Sequence, residues 1–392
     1  TQEFYRAVAA RLAPGGIFSQ WVQGYGIDAI TVRRIAATLA SVFGNIETWR
    51  TSVGDLLFVC SAAPKDYALP RLAARVAGEP FRSALLTGWG VEGLEGFLSG
   101  FFADDTFSRH ALRLSRKRGE LNTDDLAPVE FGFVRNVGVD SLSLDLFRDE
   151  TRERNAHRPA VHGGTVDWDR VDSLRLLQYV WSDDEWLAQG DSVAEDVYRA
   201  FALGEYPAVR SALEEGRWVP VAPLEKVIGA LSLAHGGDPR TLPLLLEVAE
   251  VWPAAAAGIK ARLLMARGDA EGAFGAFSEA VAGFRTDPWN PIRVMSETLG
   301  LGAELARVRP GLARDIFALL DQPFSVHILD QQRISTLMDI AMTLDCRHGE
   351  RVLAQLEPNV PWIRSILEYR ASCYAQTGNV LAGQARKDLE DF

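Results

Sequence analysis

Cysteine is scarce in this 392-residue chain: Cys60, Cys346 and Cys373 are the only three. Three thiols supply no disulfide framework, and the expected setting is a reducing one, the cytoplasm. Long apolar runs are also missing. Stretches such as residues 242–246 and 254–259 fall far short of the roughly 20 residues that span a bilayer. The opening residues carry neither a signal-peptide pattern nor the basic character of a transit peptide. Positive charge is in deficit, with 41 basic against 52 acidic residues and a net charge of −11. That excludes nucleic acid as the main partner, although it leaves room for a local basic patch. Histidine is sparse and scattered. His157 and His162 have no cysteine or third histidine nearby, so no metal site is expected. No spacing suggests a Ser-His-Asp or Cys-His arrangement. What is plentiful is apolar side chain, at 47% of residues against 24% charged, enough for a sizeable core and about two to three domains.

The front of the chain has a clear order. Thr1 is placed to cap a helix over residues 3–13, with Phe4, Val8 and Leu12 on its apolar face. A start already inside a helix reads as the continuation of a longer chain. Pro14-Gly15-Gly16 stops that helix. The run Ile17-Phe18-Ser19-Gln20-Trp21-Val22 suits a buried strand, broken by Gly24-Tyr25-Gly26. Asp28 caps a second helix carrying Ile27, Ile30, Ile35, Leu39, Val42 and Phe43, which Gly44-Asn45 ends. A strand over 46–50, a turn through Ser52-Val53-Gly54, and a strand over 56–60 follow, with Asp55 in the hairpin turn. Strand, crossover helix, strand predicts a βαβ unit of a parallel sheet, and the closing hairpin adds an antiparallel strand.

These residues carry a resemblance. Phe4-Tyr5, Arg11-Leu12-Ala13-Pro14-Gly15-Gly16-Ile17-Phe18-Ser19-Gln20-Trp21 and Gly54-Asp55-Leu56-Leu57-Phe58-Val59-Cys60-Ser61 are similar to the C-terminal half of the spermidine synthase (aminopropyltransferase) family, in particular its bacterial members fused to other modules. Leu121-Asn122-Thr123-Asp124-Asp125, followed by Pro128-Val129-Glu130-Phe131, resembles the segment closing the catalytic region there. The inserted Leu126-Ala127 departs from the commoner Asp-Asp-Arg-Pro. The resemblance covers roughly residues 1–135. It implies a Rossmann-like methyltransferase fold, with residues 1–62 as the C-terminal half of its α/β domain and 63–135 as a covering, substrate-side segment. It implies transfer of an aminopropyl group from decarboxylated S-adenosylmethionine to a diamine. The family's glycine-rich loop, ribose-binding acid and catalytic aspartate would all precede Thr1. No cofactor is therefore expected in this chain, which is expected to be inactive by itself.

That chemistry needs a wall that holds ammonium groups and methylenes, and a base for the attacking amine. Ligands bind beyond the carboxyl ends of strands in open α/β sheets. Gln20, Gln23 and Tyr25 are therefore expected to line the acceptor pocket. Asp124 and Asp125 have the charge to hold a polyamine. The bland alternatives are packing for Trp21 and Tyr25, solvation for the glutamines, and a turn or cap for Asn122-Thr123-Asp124-Asp125.

Residues 88–102 place Leu94, Phe97, Leu98, Phe101 and Phe102 at helical spacing, as a packed helix or a lid. The run Arg113, Arg116, Lys117, Arg118 reads as a solvated face. Residues 136–170 read as a charge-rich linker, most open to protease near 148–165. From 171 to 392 the period is helical throughout. Turn signals recur at Gly204-Glu205, Gly237-Asp238, Gly268-Asp269, Gly349-Glu350 and Gly378-Asn379, and the first three, 33 and 31 residues apart, come near the tetratricopeptide period of about 34. The clearest unit is 257–288, with others over 197–213 and 369–379. The resemblance to a tetratricopeptide-like array implies a concave surface for a protein or peptide partner, or else a structural cap. Two other readings compete with the transferase. One is a non-catalytic helical-repeat scaffold; the other is a methyltransferase-like protein using ordinary S-adenosylmethionine. No membrane segment is expected within the chain, and any inner-membrane tether would lie in an upstream module.

Overall fold

The computed structural model describes every residue except 24–26, 53–54, 119, 136–144, 178–179 and 181–191. The chain divides into two units, Thr1–Ala188 and Gln189–Phe392.

The first unit opens with α1 (Gln2–Ala9), which Thr1 caps by accepting the Phe4 amide hydrogen on its hydroxyl. It continues through β1 (Ile17–Gln23), α2 (Ala29–Ala40), β2 (Asn45–Ser52) and β3 (Asp55–Ser61). Asp28 caps α2 as expected, its carboxylate accepting from the Thr31 amide at 2.6 Å. Then come β4 (Tyr67–Ala68), α3 (Leu69–Val76), α4 (Phe81–Ala84), a π-helical turn (Leu85–Trp89), α5 (Gly93–Leu98) and β5 (Phe101–Ala103). The unit closes with α6 (Asp105–Arg118), α7 (Glu130–Arg135), α8 (Asp145–Glu153), β6 (Val161–His162) and α9 (Trp168–Leu177).

The sheet corrects the parallel expectation. Its order is β1-β3-β2-β5, and every neighbouring pair is antiparallel. β1 and β2 run the same way and are joined through α2, but β3 lies between them. Inserting β3, which only two residues separate from β2, satisfies both strands. The two-stranded pair β4-β6 is parallel.

One face of the sheet carries the main core. Ile46, Leu56, Phe58 and Cys60 are fully buried there with Val32, Ala36 and Leu39 of α2 and Phe107 of α6. On the other face the Trp49 ring lies 4.9 Å from Phe97 and 5.2 Å from Phe101. Residues 88–102 are thus a packed cover. They are not one helix, because Phe101 and Phe102 leave the helical spacing to form β5 beside β2.

Residues 136–170 are not a linker where the structure describes them. Phe147 of α8 is fully buried in the sheet core, and Arg33 of α2 pairs with Glu150 at 2.9 Å. Val171, Leu174 and Leu177 of α9 are buried too, so the first unit extends past the expected boundary at 171. Charge patterning concealed four apolar anchors spaced along otherwise polar helices.

The second unit is helical. Its elements are α10 (Val193–Ala202), α11 (Tyr206–Glu214), α12 (Pro223–His235), α13 (Thr241–Val251), α14 (Pro253–Ala266) and α15 (Ala270–Phe284). They continue as α16 (Ile292–Val308), α17 (Ala313–Leu320), α18 (Asp330–Ala341), α19 (Cys346–Leu356), α20 (Arg364–Thr377) and α21 (Ala382–Asp391). Each odd-numbered helix packs on the even-numbered one before it. From α10 to α18 the even-numbered helices also touch in succession. Alanine and glycine permit this closeness: Ala257, Ala261, Ala273 and Ala280 are buried between α14 and α15 with Phe277. A Cβ on Gly258 would stand 2.5 Å from the Thr298 hydroxyl of α16. Gly204, Gly237, Gly268 and Gly378 take positive φ in the expected turns. Gly349 does not mark a turn. It lies inside α19, where a Cβ would stand 2.3 Å from the Tyr369 hydroxyl of α20.

Cys346 and Cys373 form a disulfide joining α19 to α20, with Cα atoms 4.8 Å apart. This departs from the expectation of free thiols in a reducing setting. Their separation of 27 residues gives no sequence-level sign of pairing. Cys60 is a free, buried thiol.

Candidate functional site

A cavity of about 250 Å³ opens beside the carboxyl end of β1. Its wall includes Gln20, Trp21 and Gln23 of β1, Tyr5 of α1, Thr38 of α2, and Asn122. Each position has a local cause. The strand alternation of β1 sets Gln20 and the buried Val22 on one face and Trp21, 49% exposed, on the other. The Tyr5 hydroxyl lies 3.4 Å from the Gln20 Oε1 and donates to it. Gln20 Nε2 in turn donates to the Trp21 carbonyl at 2.8 Å, which fixes the amide's orientation. Burial, with the Cys60 thiol nearby, pushes the Tyr5 hydroxyl up to about 12, so it stays a proton donor at neutral pH.

The opposite wall is tied to α2. The Asn122 amide donates to the Thr38 hydroxyl at 3.0 Å, and that hydroxyl donates to the Arg34 carbonyl at 2.7 Å. The Asn122 side-chain oxygen accepts from the Val129 amide at 3.2 Å. Asn122 is therefore a fixed post joining the turn over 122–129 to α2.

The structure thus brings Gln20 and Gln23 into one cavity. Tyr25 lies outside the described residues. Asp124 and Asp125 are exposed in the turn beyond Asn122 and are not part of the wall. The turn explains their position. The Thr123 hydroxyl accepts from the Leu126 amide, and the Glu3 carboxylate accepts from the Asp124 amide at 3.0 Å. This is the capping role that competes with ligand binding for such a sequence. Glu3, Asp124 and Asp125 nonetheless place carboxylates near the Asn122 side of the opening.

Tyr5, Thr38 and Asn122 were missed as pocket formers, and Asp55 as a neighbour of the pocket. Tyr5 carried only a motif resemblance, and its helix had no reason by spacing alone to face β1. Asp55 was assigned to the hairpin turn. It is the first residue of β3, directly across from Gln23, and its Oδ1 is buried with no hydrogen-bond partner among the described residues. Strand register, which is not legible before pairing is known, is the missing signal.

The cavity offers amide oxygens and a phenol, with Asp55 adjacent. That set can hold an amine through hydrogen bonds. Among the described residues no carboxylate stands in the wall itself. Among the described residues no group of three or more His, Cys, Asp or Glu side chains is placed to hold a metal, and no helix is long and apolar enough to cross a membrane.

The second unit has its own polar cluster. Glu297 of α16 accepts from Tyr206 of α11, from His235 of α12 at 2.6 Å and from Arg293 at 3.2 Å. The Tyr206 and His235 rings stack at 4.0 Å. Burial raises the Glu297 carboxyl, but the hydrogen bonds from His235 and Tyr206 outweigh it and hold the group below its usual range. Each of these contacts is internal, so the cluster is a brace between three helices. Comparison with protein-family models, with curated proteins and with solved structures finds no match for this chain.

Proposed function

We propose that the first unit is the acceptor-binding part of a spermidine synthase-like aminopropyltransferase. The observation that carries this is the gathering of Gln20, Trp21, Gln23 and Tyr5 around one cavity at the carboxyl end of β1. A diamine fits such a wall: its ammonium meets the amide oxygens. The missing base fits the same reading. Aminopropyl transfer needs a carboxylate to take the proton of the attacking nitrogen and a site for decarboxylated S-adenosylmethionine. The described cavity has neither, and both are assigned to preceding sequence. This chain by itself binds an amine without turning it over. The helical unit is assigned a protein or peptide partner, which the run of touching even-numbered helices supports.

The test is titration of the chain with putrescine and spermidine, alongside an assay for product from putrescine and decarboxylated S-adenosylmethionine. Saturable amine binding without turnover is expected. Replacing Gln23 by Ala should weaken binding by about tenfold, roughly 1.4 kcal/mol. Absence of amine binding, or equal binding by Gln23→Ala, would favour the alternative of a non-catalytic helical-repeat scaffold. Turnover above background would overturn the assignment of the base to preceding sequence.

A further inference from the structure

The first unit holds a second cavity, of about 30 Å³, where β2, α8 and α9 converge, lined by Arg50, Arg148, Arg152, Arg175 and His157. Its arginines are engaged from within. Arg50 donates to the Arg175 carbonyl at 2.6 Å, and Arg175 donates to the His157 carbonyl and to Asp172, both at 2.7 Å. That cavity is a brace. The cavity beside β1 differs, because an acid at its edge has no partner among the described residues.

That acid is Asp55. It opens β3 and lies directly across from Gln23, the last residue of β1. Residues paired in this way share one face of the sheet, with Cβ atoms about 4.5–5.5 Å apart. Gln23 belongs to the cavity wall, so Asp55 stands at the end of that wall. Its Oδ1 is buried and accepts no hydrogen bond among the described residues. The wall itself carries no arginine, lysine or histidine among the described residues. A buried carboxylate oxygen without a donor is costly, and a donor from outside the chain removes the cost. An ammonium brings three N–H donors and the opposite charge. Glu3, Asp124 and Asp125 add carboxylates near the Asn122 side of the opening, so acids flank a wall that is itself uncharged.

We propose that Asp55 is the ammonium anchor of this cavity and restricts its ligand to diamines. The inference rests on the amine reading of the first unit and adds a division of labour between the two nitrogens. The attacking nitrogen must be neutral, because its lone pair makes the new bond. A carboxylate that holds an ammonium does the reverse and stabilises the protonated form. Asp55 therefore holds the nitrogen that does not react, and the other is left to the base assigned to preceding sequence. A monoamine anchored at Asp55 has no second nitrogen to offer. Asp55 is thus a specificity residue, set at the end of the ligand remote from the chemistry.

The experiment is calorimetric titration of the full chain with putrescine and with n-butylamine, which keeps the carbon chain and loses one nitrogen. Wild type is expected to bind putrescine about tenfold more tightly than butylamine, the scale of one charge-assisted hydrogen bond. Asp55→Asn keeps the shape and removes the charge, so it should lose about tenfold in putrescine affinity and the preference with it. Asp55→Glu should keep the preference. Asp55 Oδ1 accepts no hydrogen bond among the described residues, so Asp55→Asn should melt no lower than wild type; a lower melt with equal loss of both amines would make Asp55 structural and overturn the anchor. The wild-type comparison needs no variant: equal binding of the two amines would also overturn it. Uptake of putrescine that Gln23→Ala weakens and Asp55→Asn leaves unchanged would remove the anchor and keep the amine reading. No uptake of either amine by wild type would remove both.

Discussion

At the scale of single residues, the most informative side chain outside the two cavities is Glu47. It is buried in β2 and accepts a hydrogen bond from the Tyr67 hydroxyl at 2.6 Å. Desolvation dominates over that bond and raises its carboxyl above the usual 4.5. An acid whose pKa is higher folded than unfolded binds its proton more tightly in the native state. Its ionisation therefore costs stability as pH rises past the ordinary carboxylate value, and the cost is complete above the raised folded value. Glu47→Gln should raise Tm at neutral pH, with the gain shrinking as pH falls toward 4.5; thermal melts of the chain across that range are the check. A gain unchanged across that range would mean that Glu47 does not titrate there. Gly44 makes a second point. A Cβ there would stand 2.1 Å from the Ala62 carbonyl oxygen, which is backbone and cannot swing away. Gly44→Ala should destabilise by about 1–3 kcal/mol, as overpacking does. A melt unchanged from wild type would show that the chain around Ala62 yields.

At the scale of elements, local chemistry was legible and pairing was not. The Asp28 cap, the strands around Trp21, Trp49 and Phe58, and the positive-φ glycines of the helical unit all follow from short-range rules, whereas the first helix ends at Ala9, short of the expected stop at Pro14-Gly15-Gly16. The position of β3 between β1 and β2 does not, since a strand-helix-strand order is equally compatible with direct parallel pairing. Phe101 and Phe102 sit at helical spacing and still form a strand, because the β2 edge supplies their hydrogen-bond partners. The amine cavity was half legible. Gln20 and Gln23 lie on one predicted strand, whereas Tyr5, Thr38 and Asn122 reach it only through the packing of α1, α2 and the 122–129 turn. The arginine cavity was not legible at all. Its residues come from positions 50, 148, 152, 157 and 175, and the middle three lay in what read as a linker. One practical consequence concerns protease. Residues 148–165 carry Phe147's helix and β6, so they should resist limited digestion; rapid cutting there would contradict the packing of α8.

At the scale of the whole molecule, the two units rest on different supports. The first has a sheet core. The second has stacked small-residue helices, and near its end a covalent tie between α19 and α20. Closing a 27-residue loop removes conformational entropy from the unfolded chain, worth about 3.5 kcal/mol in the chain-entropy account. Reductant should therefore lower the melting temperature of residues 189–392 expressed alone, and Cys346→Ser should reproduce the loss without reductant. A melt indifferent to both would mean that the two sulfurs are not bonded in solution. That fragment should also show a cooperative helical melt, since its core closes within itself.

The strand order carries a consequence for how the first unit is made. β3 is the strand on which both β1 and β2 depend, yet it is the last of the three to be synthesised. On the ribosome, β1 and β2 emerge with their apolar faces ready and no edge to join. The β2–β3 hairpin is the local event that ends this wait, and β1 then returns across a longer loop to the far side of β3. Nascent chains stalled after residue 52 should remain open to protease, and those long enough to expose residue 61 should begin to resist it. The interval between those two lengths is where this protein most needs a chaperone.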